Sequence, residues 1–186
     1  ATTTDSSNDI LVNFLKDINI EVFRGSENDV LDRYVSAAKH YDADIVIRIT
    51  SDCPVIDSDI VDACINKFCK NSYDYLATKN FPDGLDTEVC SYEALRQANN
   101  STKSQYDREH VTPYINNPKK FKVGYLKNNM DLSKIRWTVD EQCDLDVVNN
   151  IFNNFKSSHF KWTEILDLYN KKPELFKANM HITNNE

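Results

Sequence analysis

Two aspartates follow apolar, strand-like segments and are the residues best placed for chemistry. Asp52 comes after Ile-Arg-Ile-Thr-Ser, and Asp140 comes after Ile-Arg-Trp-Thr-Val. Because the carboxyl ends of parallel strands lie at one edge of a sheet, the two side chains can converge there. Two carboxylates that leave coordination positions open suit Mg²⁺ shared with substrate phosphates. The spacing therefore indicates a candidate metal site.

Structural roles explain the same two aspartates without a ligand. Asp52 precedes Pro54 in a turn, where Asp side chains commonly bond nearby backbone. Asp140 is well placed to cap the helix that is predicted to begin at Glu141. On spacing alone, both the metal role and the structural role stay open for each residue.

Two arginines, Arg48 and Arg136, lie inside the apolar segments that precede these aspartates. An unpaired buried charge costs several kcal/mol, so each guanidinium needs a partner. Asp52, Asp140 and anionic substrate groups are candidate partners. Taken singly, each arginine favours a structural ion pair.

The loop over residues 82–88 places Asp83, Asp86 and Glu88 around Gly84, a pattern that can bind sugar hydroxyls. On composition, a solvated turn is the better explanation, since it accounts for Asp83 and Gly84 without any ligand. Farther along, Arg108 begins an Arg-Glu-His motif on a predicted helix and could bind a substrate carboxylate. An exposed charged helix face is the alternative for this motif.

Alternating strands and helices must position these residues. Apolar periodicity predicts strands over 18–24, 44–50, 73–78, 121–126 and 135–139, with a short strand at Val89. It predicts helices over 28–41, 58–68, 92–98, 104–115, 141–155 and 162–169. This order implies a layered α/β fold with parallel pairing.

Some predictions are specific to single elements. The β-branched run 44–50 predicts a central strand covered on both faces. The helix over 141–155 is predicted to turn Leu145 and Phe152 inward together with its other apolar residues. The segment 173–186 is predicted to be a poorly patterned C-terminal tail.

Composition limits the possible partners. The chain has 186 residues, 40% of them hydrophobic, which predicts a single domain over 1–186 with a packed core. A formal net charge of -7 disfavours binding to nucleic acid or to an anionic membrane. The five cysteines are odd in number and lack C-x-x-C spacing, which predicts reduced thiols and a cytoplasmic location. No apolar run approaches the roughly 20 residues that a membrane span needs.

Taken together, the motifs of this chain resemble the spore-coat polysaccharide cytidylyltransferase family, relatives of the acylneuraminate cytidylyltransferases. No single motif is decisive, but their order and joint presence are specific. The matching stretches are 1–6, 24–26, 29–34, 48–57, 81–89, 108–114, 136–140, 144–145 and 173–175.

The resemblance implies a fold, a reaction and a set of site residues. The fold is the three-layer, glycosyltransferase-A-like nucleotide-diphospho-sugar transferase fold with a mostly parallel central sheet. The reaction is Mg²⁺-dependent transfer of CMP from CTP to an acidic or surface-polysaccharide sugar, with release of pyrophosphate. The implied residues are Asp52 and Asp140 as catalytic metal ligands, Asp86, Glu88 and Arg108 as sugar contacts, and Arg24 and Ser26 beside the nucleotide.

One departure from the family pattern bears on activity. Family members begin with a strand and a basic loop of the type R-x-G-S-x-R-L-P-G-K, which wraps the triphosphate, and no such loop occurs in this chain. The resemblance thus implies that the chain lacks the family's first strand, loop, helix and strand. A homodimer is a further expectation. The alternatives are a glycosyltransferase of the same fold and a non-catalytic module for sugar binding or dimerisation.

Overall fold

The computed structural model describes residues 1–155, 157 and 159–182. Helices and strands alternate along most of the chain, which confirms the predicted α/β fold. The strands are β1 (Thr2–Thr3), β2 (Arg24–Gly25), β3 (Ile45–Arg48), β4 (Tyr75–Lys79), β5 (Glu88–Ser91) and β6 (Val123–Lys127). The helices are α1 (Asp9–Asp17), α2 (Val30–His40), α3 (Ser58–Asn71), α4 (Tyr92–Ser101), α5 (Gln105–His110), α6 (Gln142–Asn154) and α7 (Trp162–Lys171), with 3-10 helices at Ser6–Asn8 and Pro173–Asn179.

Four strands form a mixed sheet in the order β3-β5-β4-β6, and β1 and β2 form a separate parallel pair. The hydrogen bonds show that β3, β4 and β6 run in one direction, and that β5 runs against β3 and β4. The bonds that fix these directions are Tyr92 N to Asp44 O, Thr78 N to Thr87 O, Ser91 N to Asp74 O, Asp74 N to Lys122 O and Asn128 N to Lys79 O. Three of the four strands thus run in one direction, which is consistent with the predicted mostly parallel sheet, although both pairs that include β5 are antiparallel. Its exception, β5, follows β4 through a connection too short for a parallel crossover.

The prediction that residues 44–50 form a central strand covered on both faces is wrong. β3 is an edge strand of the four-stranded sheet. Ile45, Ile47 and Ile49 lie on one face and are 36–38% exposed. A continuous β-branched run specifies an extended backbone, but the location of a strand within a sheet depends on pairing with distant segments.

Other predicted elements differ in length or type. Residues 135–139 do not form a strand and contribute only a parallel bridge between Asp83 and Arg136. The helix predicted over 104–115 ends at His110, because Val111 adopts a φ of 71°. The strand predicted over 18–24 is reduced to β2. Sequence reasoning missed α1, of which only Val12 is buried.

The chain divides into two compact units, and the first comprises Ala1–Val46, Asn71–Tyr75 and Val89–Gly124. Within it, α2 packs against α4, α5 and β2. Leu31, Leu95 and Ile115 are fully buried in this unit. These contacts give the unit an apolar core of its own.

The second unit comprises Ile47–Lys70, Leu76–Glu88 and Tyr125–Glu186. Trp137, Ile151 and Ile165 are fully buried in it. Residues Pro173–Asn179, predicted as part of an unpatterned tail, form a 3-10 helix that contacts α6 and α7 and buries Phe176. The remainder of the predicted tail, 183–186, lies outside the described residues.

The inward face of α6 matches the prediction at Val147 and Ile151 but not at Leu145 and Phe152. Leu145 is 40% exposed and Phe152 is 36% exposed, whereas Asp144 is fully buried on the same helix as Val147 and Ile151. A buried carboxylate is tolerated only with partners, and Asp144 finds them in the segment that precedes α6. Apolar periodicity alone could not indicate this orientation.

Within the part of the chain that the structure describes, no helix combines the length and the apolar character needed to cross a membrane.

We expect Gly84→Ala to lower the free energy of unfolding by about 2–3 kcal/mol. Gly84 has a φ of 99°, and an added Cβ would come within 2.7 Å of the backbone at Thr138 and Trp137. Urea denaturation of the variant tests this expectation. Gly25→Ala is the comparison, because its Cβ would meet side-chain atoms of Arg33 and Phe23, which can move. An equal loss in both variants would contradict the backbone argument.

Candidate functional site

The second unit contains a cavity of about 1110 Å³. It lies beside the end of β4 and is lined by both charged and apolar residues. Three of the predicted site residues, Asp52, Asp86 and Asp140, are in its lining. The other lining residues are Thr78, Lys79, Asn80, Phe81, Asp83, Ser133, Lys134, Arg136, Thr138, Glu141, Met180 and Ile182.

Backbone contacts bring the Asp52 turn and the Asp140 segment together. The amide of Val139 donates to the carbonyl oxygen of Asp52 at 2.9 Å, and the hydroxyl of Thr138 donates to the same oxygen at 3.0 Å. Asp140 is the next residue along the chain. The two aspartates thus line one cavity, although their role as metal ligands stays a prediction.

The structure supports the predicted structural role of Asp52 but not that of Asp140. Asp52 lies in a turn, as that alternative predicted. Asp140 does not cap α6, because the N-cap residue is Glu141. The Asp140 side chain is 56% exposed and accepts a hydrogen bond from Nη2 of Arg136 at 2.6 Å.

Arg136 joins three carboxylates, as the expectation of an ion pair required. Its side chain is only 8% exposed. It binds Asp144 through two nitrogens at 3.0 and 2.9 Å, and it donates to Asp83 at 3.1 Å and to Asp140 at 2.6 Å. The Asp144 carboxylate, through hydrogen bonds, raises the pKa of Arg136 further, so the guanidinium stays charged. The buried Asp144 therefore anchors Arg136. Arg136 in turn holds the carboxylates of Asp83 and Asp140, which line the cavity.

Asp144 has hydrogen-bond donors on every side. Besides Arg136, the amides of Asp140 and Glu141 donate to it at 3.1 and 2.9 Å, and the Asn179 side chain donates at 2.9 Å. Burial opposes ionisation of Asp144, but its bonds to Arg136, Asn179 and the two amides outweigh burial and lower its pKa. The residue is a permanent anion at neutral pH.

Asp83 is a lining carboxyl that titrates closer to neutral pH. Burial raises the pKa of Asp83 to about 6, and the nearby Asp86, Asp140 and Asp52 add to the increase, while Arg136 opposes it. The backbone amide of Asp83 donates to the carbonyl of Ile135, and its carbonyl accepts from the amide of Trp137. Its side chain is therefore held at the cavity by two kinds of contact.

Asp86 and Glu88 come from one loop but have different environments. Asp86 lines the cavity and accepts a bond from the amide of Gly84 at 3.1 Å. Burial raises the pKa of Asp86. Glu88 is not among the lining residues and forms a salt bridge with Arg48 at 2.5 Å. The pair satisfies the predicted need of Arg48 for a partner.

The remaining predicted residues belong to the first unit and are not in the cavity lining. Arg24 bonds with Asp9 at 2.7 Å and with two backbone carbonyls, and the Ser26 hydroxyl accepts the amide of Asp29. Arg108 forms a salt bridge with Asp29 at 2.6 Å and bonds with Asn99. Each contact supports local structure, and the predicted roles of these residues in substrate binding stay predictions.

Sequence patterns did not identify Lys79 and Lys134, which line the same cavity. Lys79 is the last residue of β4, so the strand-end argument that selected Asp52 would have selected it too. Lys134 had no comparable signal, because its position depends on the bonds that hold residues 128–132 beside β4.

The residues present fit a shared Mg²⁺ rather than a closed metal site. Among the described residues, no three His, Cys, Asp or Glu side chains form a group that could hold a metal ion. Asp52 and Asp140 offer oxygen ligands from two segments of the cavity lining. Mg²⁺ is commonly bound by one or two carboxylates together with substrate phosphates and water.

A cavity at a strand end of an α/β fold, lined by carboxylates and lysines, is the kind of site that binds a charged small molecule. Comparisons with known proteins identify the family. The cytidylyltransferase family model matches residues 1–182. The chain therefore belongs to the cytidylyltransferase family, and it is a nucleotidyltransferase.

Individual relatives agree with this assignment. The chain is 37% identical over 185 residues to the uncharacterized protein MJ1063 of Methanocaldococcus jannaschii, covering 98% of this chain and 76% of that protein. It is 29% identical over 180 residues to the spore coat polysaccharide biosynthesis protein SpsF of Bacillus subtilis, covering 94% and 75%. A solved cytidylyltransferase structure from Leptospira borgpetersenii superposes with a TM-score of 0.91 at 32% identity, covering 99% of this chain and 79% of that one.

We expect Asp144→Asn to lower the free energy of unfolding by about 3 kcal/mol, because it leaves the buried Arg136 with less compensating charge. Chemical denaturation at pH 7 measures the change. Asp146→Asn, on an exposed position of the same helix, is the matched control and should change stability by less than about 0.5 kcal/mol. Equal stabilities of the two variants would show that the pair is dispensable.

Asp83 should make stability fall as pH rises. Its pKa is higher in the folded chain than in the unfolded chain, so the folded state holds the proton more tightly. The contribution of Asp83 to the free energy of unfolding is fully present below pH 4. It is lost between about pH 4 and 6, and the total loss is about 3 kcal/mol.

Denaturation of Asp83→Asn and wild type at several pH values checks this direction. The variant should gain stability relative to wild type as the pH rises from 4 to 6. Asp131→Asn should show no such gain, because bonds from Ser133 lower the pKa of Asp131, so that this group titrates below the pH range of the experiment. Parallel trends in the two variants would be incompatible with a raised pKa at Asp83.

Proposed function

We propose that this cavity transfers CMP from CTP to a hydroxyl of an acidic or surface-polysaccharide sugar, with release of pyrophosphate. The observation that carries the proposal is that Asp52 and Asp140 line one cavity in a chain of the cytidylyltransferase family. The name of the Bacillus subtilis relative supports polysaccharide synthesis as the setting. Family membership favours nucleotidyl transfer over the glycosyltransferase alternative.

Asp52 and Asp140 would hold Mg²⁺ in this proposal. When bound, the ion supplies positive charge that offsets the triphosphate and polarises its oxygens. Arg136 keeps the Asp140 carboxylate in place through a hydrogen bond of 2.6 Å. The bonds of Thr138 and Val139 to the Asp52 carbonyl keep the two segments together.

The sugar hydroxyl attacks the α-phosphorus of CTP in this reaction. A new oxygen–phosphorus bond forms while the bond to the β-phosphate breaks. Pyrophosphate leaves with the electron pair, and the hydroxyl proton is released to water. Asp86, which lines the cavity, is placed to accept hydrogen bonds from sugar hydroxyls. Most of the rate enhancement would come from positioning and charge stabilisation, since phosphoryl transfer needs little covalent chemistry from protein.

A cytoplasmic location is also part of the proposal. Cys53, Cys64, Cys69 and Cys143 are free thiols, as expected for a protein kept in a reducing compartment.

We expect Asp52→Asn and Asp140→Asn each to lower pyrophosphate release from CTP and sugar by at least about 100-fold. The assay uses the protein expressed in full from its gene, with CTP, Mg²⁺ and a panel of sugars. Unchanged circular dichroism and melting temperature would show that the fold is retained. Asp167→Asn, an exposed carboxylate on α7 outside the cavity, should keep full activity.

Metal removal tests the same role without mutation. Excess chelator should abolish pyrophosphate release by the wild-type protein, and added Mg²⁺ should restore it. Undiminished turnover in chelator, or in Asp52→Asn, would overturn the assignment of Asp52 and Asp140 as metal ligands.

A further inference from the structure

The cavity lining contains three cations, and only two of them have charge available for a ligand. Arg136 is nearly buried and is committed to Asp83, Asp140 and Asp144. Lys79 and Lys134 are exposed, and the described residues provide neither with an ion-pair partner within 4.0 Å. These two ammonium groups therefore remain available to a substrate.

Backbone contacts bring the two lysines to the same part of the cavity. The amide of Asn128 donates to the carbonyl of Lys79 at 3.0 Å, and the amide of Leu132 donates to the carbonyl of Asn80 at 3.1 Å. This pairing holds the segment before Lys134 alongside the end of β4.

The positive charges of Lys79 and Lys134 both act on the Asp131 carboxylate. Hydrogen bonds from Ser133 make the largest contribution to the lowered pKa of Asp131. The charges of Lys134 and Lys79 lower this pKa further. Lys79 also lies over the Tyr125 ring, with its nitrogen 5.3 Å from the ring centroid.

Carboxylates form the rest of the charged lining, at Asp52, Asp83, Asp86, Asp140 and Glu141. With a net charge of -7 on the chain, such a cavity repels an anionic sugar unless cations meet its charged group. A neutral sugar offers the two lysines hydroxyls but no opposite charge. The combination of both charge types suits a sugar that carries hydroxyls and an acidic group.

We propose that Lys79 and Lys134 bind the anionic group of the sugar acceptor and so restrict the enzyme to acidic sugars. The inference rests on the proposed cytidylyl transfer and adds the residues that select the acceptor. A triphosphate oxygen of CTP has related chemistry and could also meet these lysines. The two sources differ in which substrate loses affinity when the lysines are removed.

The test compares Lys79→Met, Lys134→Met and the double variant with the wild-type protein. Lys127→Met is the matched control, because it removes the same charge from the end of β6 at a residue outside the cavity lining. The acceptors are a panel of sugar carboxylic acids, each paired with its methyl ester. Calorimetry measures sugar binding, and pyrophosphate release measures KM for the sugar and for CTP.

Each single variant should weaken sugar-acid binding and raise its KM roughly 10-fold, with a larger effect in the double variant. The KM for CTP should stay within about 2-fold of wild type, and the control should match wild type throughout. The wild-type protein should bind at least one acid more tightly than its ester, and added salt should reduce that preference.

Three results would overturn the role of the lysines. These are equal binding of acids and esters by the wild-type protein, unchanged acid binding in the double variant, and a rise in the KM for CTP instead of the sugar. Failure of the proposed function gives a different result, namely no pyrophosphate release with any sugar. In that case, the calorimetric comparison of acids with esters still decides the assignment of Lys79 and Lys134.

Discussion

The ion pair between Arg136 and Asp144 is the contact on which the cavity depends. The Asp144 carboxylate is fully buried and receives donors from Arg136, Asn179 and two backbone amides at the start of α6. Because this arrangement compensates both charges, Arg136 can extend to Asp83 and Asp140 without an uncompensated charge in the interior. One structural pair thereby positions two carboxylates that face the ligand space.

The backbone around this pair is equally constrained. Asp83 forms a parallel bridge with Arg136, and Gly84 lies so close to Thr138 that no side chain fits between them. Thr138 and the residue after it bond in turn to the carbonyl of Asp52. Three segments distant in sequence are thus joined by short contacts, which suits a site that must hold a charged substrate in a fixed geometry.

The sequence allowed most of the fold and part of the site to be predicted. Helical periodicity located α2, α3, α4, α6 and α7, since each buries an apolar face. The strand-end argument selected Asp52 and Asp140, which line one cavity. The same argument could not identify Lys134, which does not follow a strand. It also could not show that Asp86 lines the cavity whereas Glu88 pairs with Arg48.

By itself, the sequence determined the α/β class and the alternation of elements, because these depend on local periodicity and on residue order. Tertiary structure alone decided that β3 is an edge strand, that β5 runs antiparallel, that Asp144 rather than Leu145 faces inward, and that two lysines join the carboxylates. Each of these features depends on contacts between residues far apart in the chain. A local pattern specifies which segments become helix or strand, but pairing and charge compensation over long range fix where they lie.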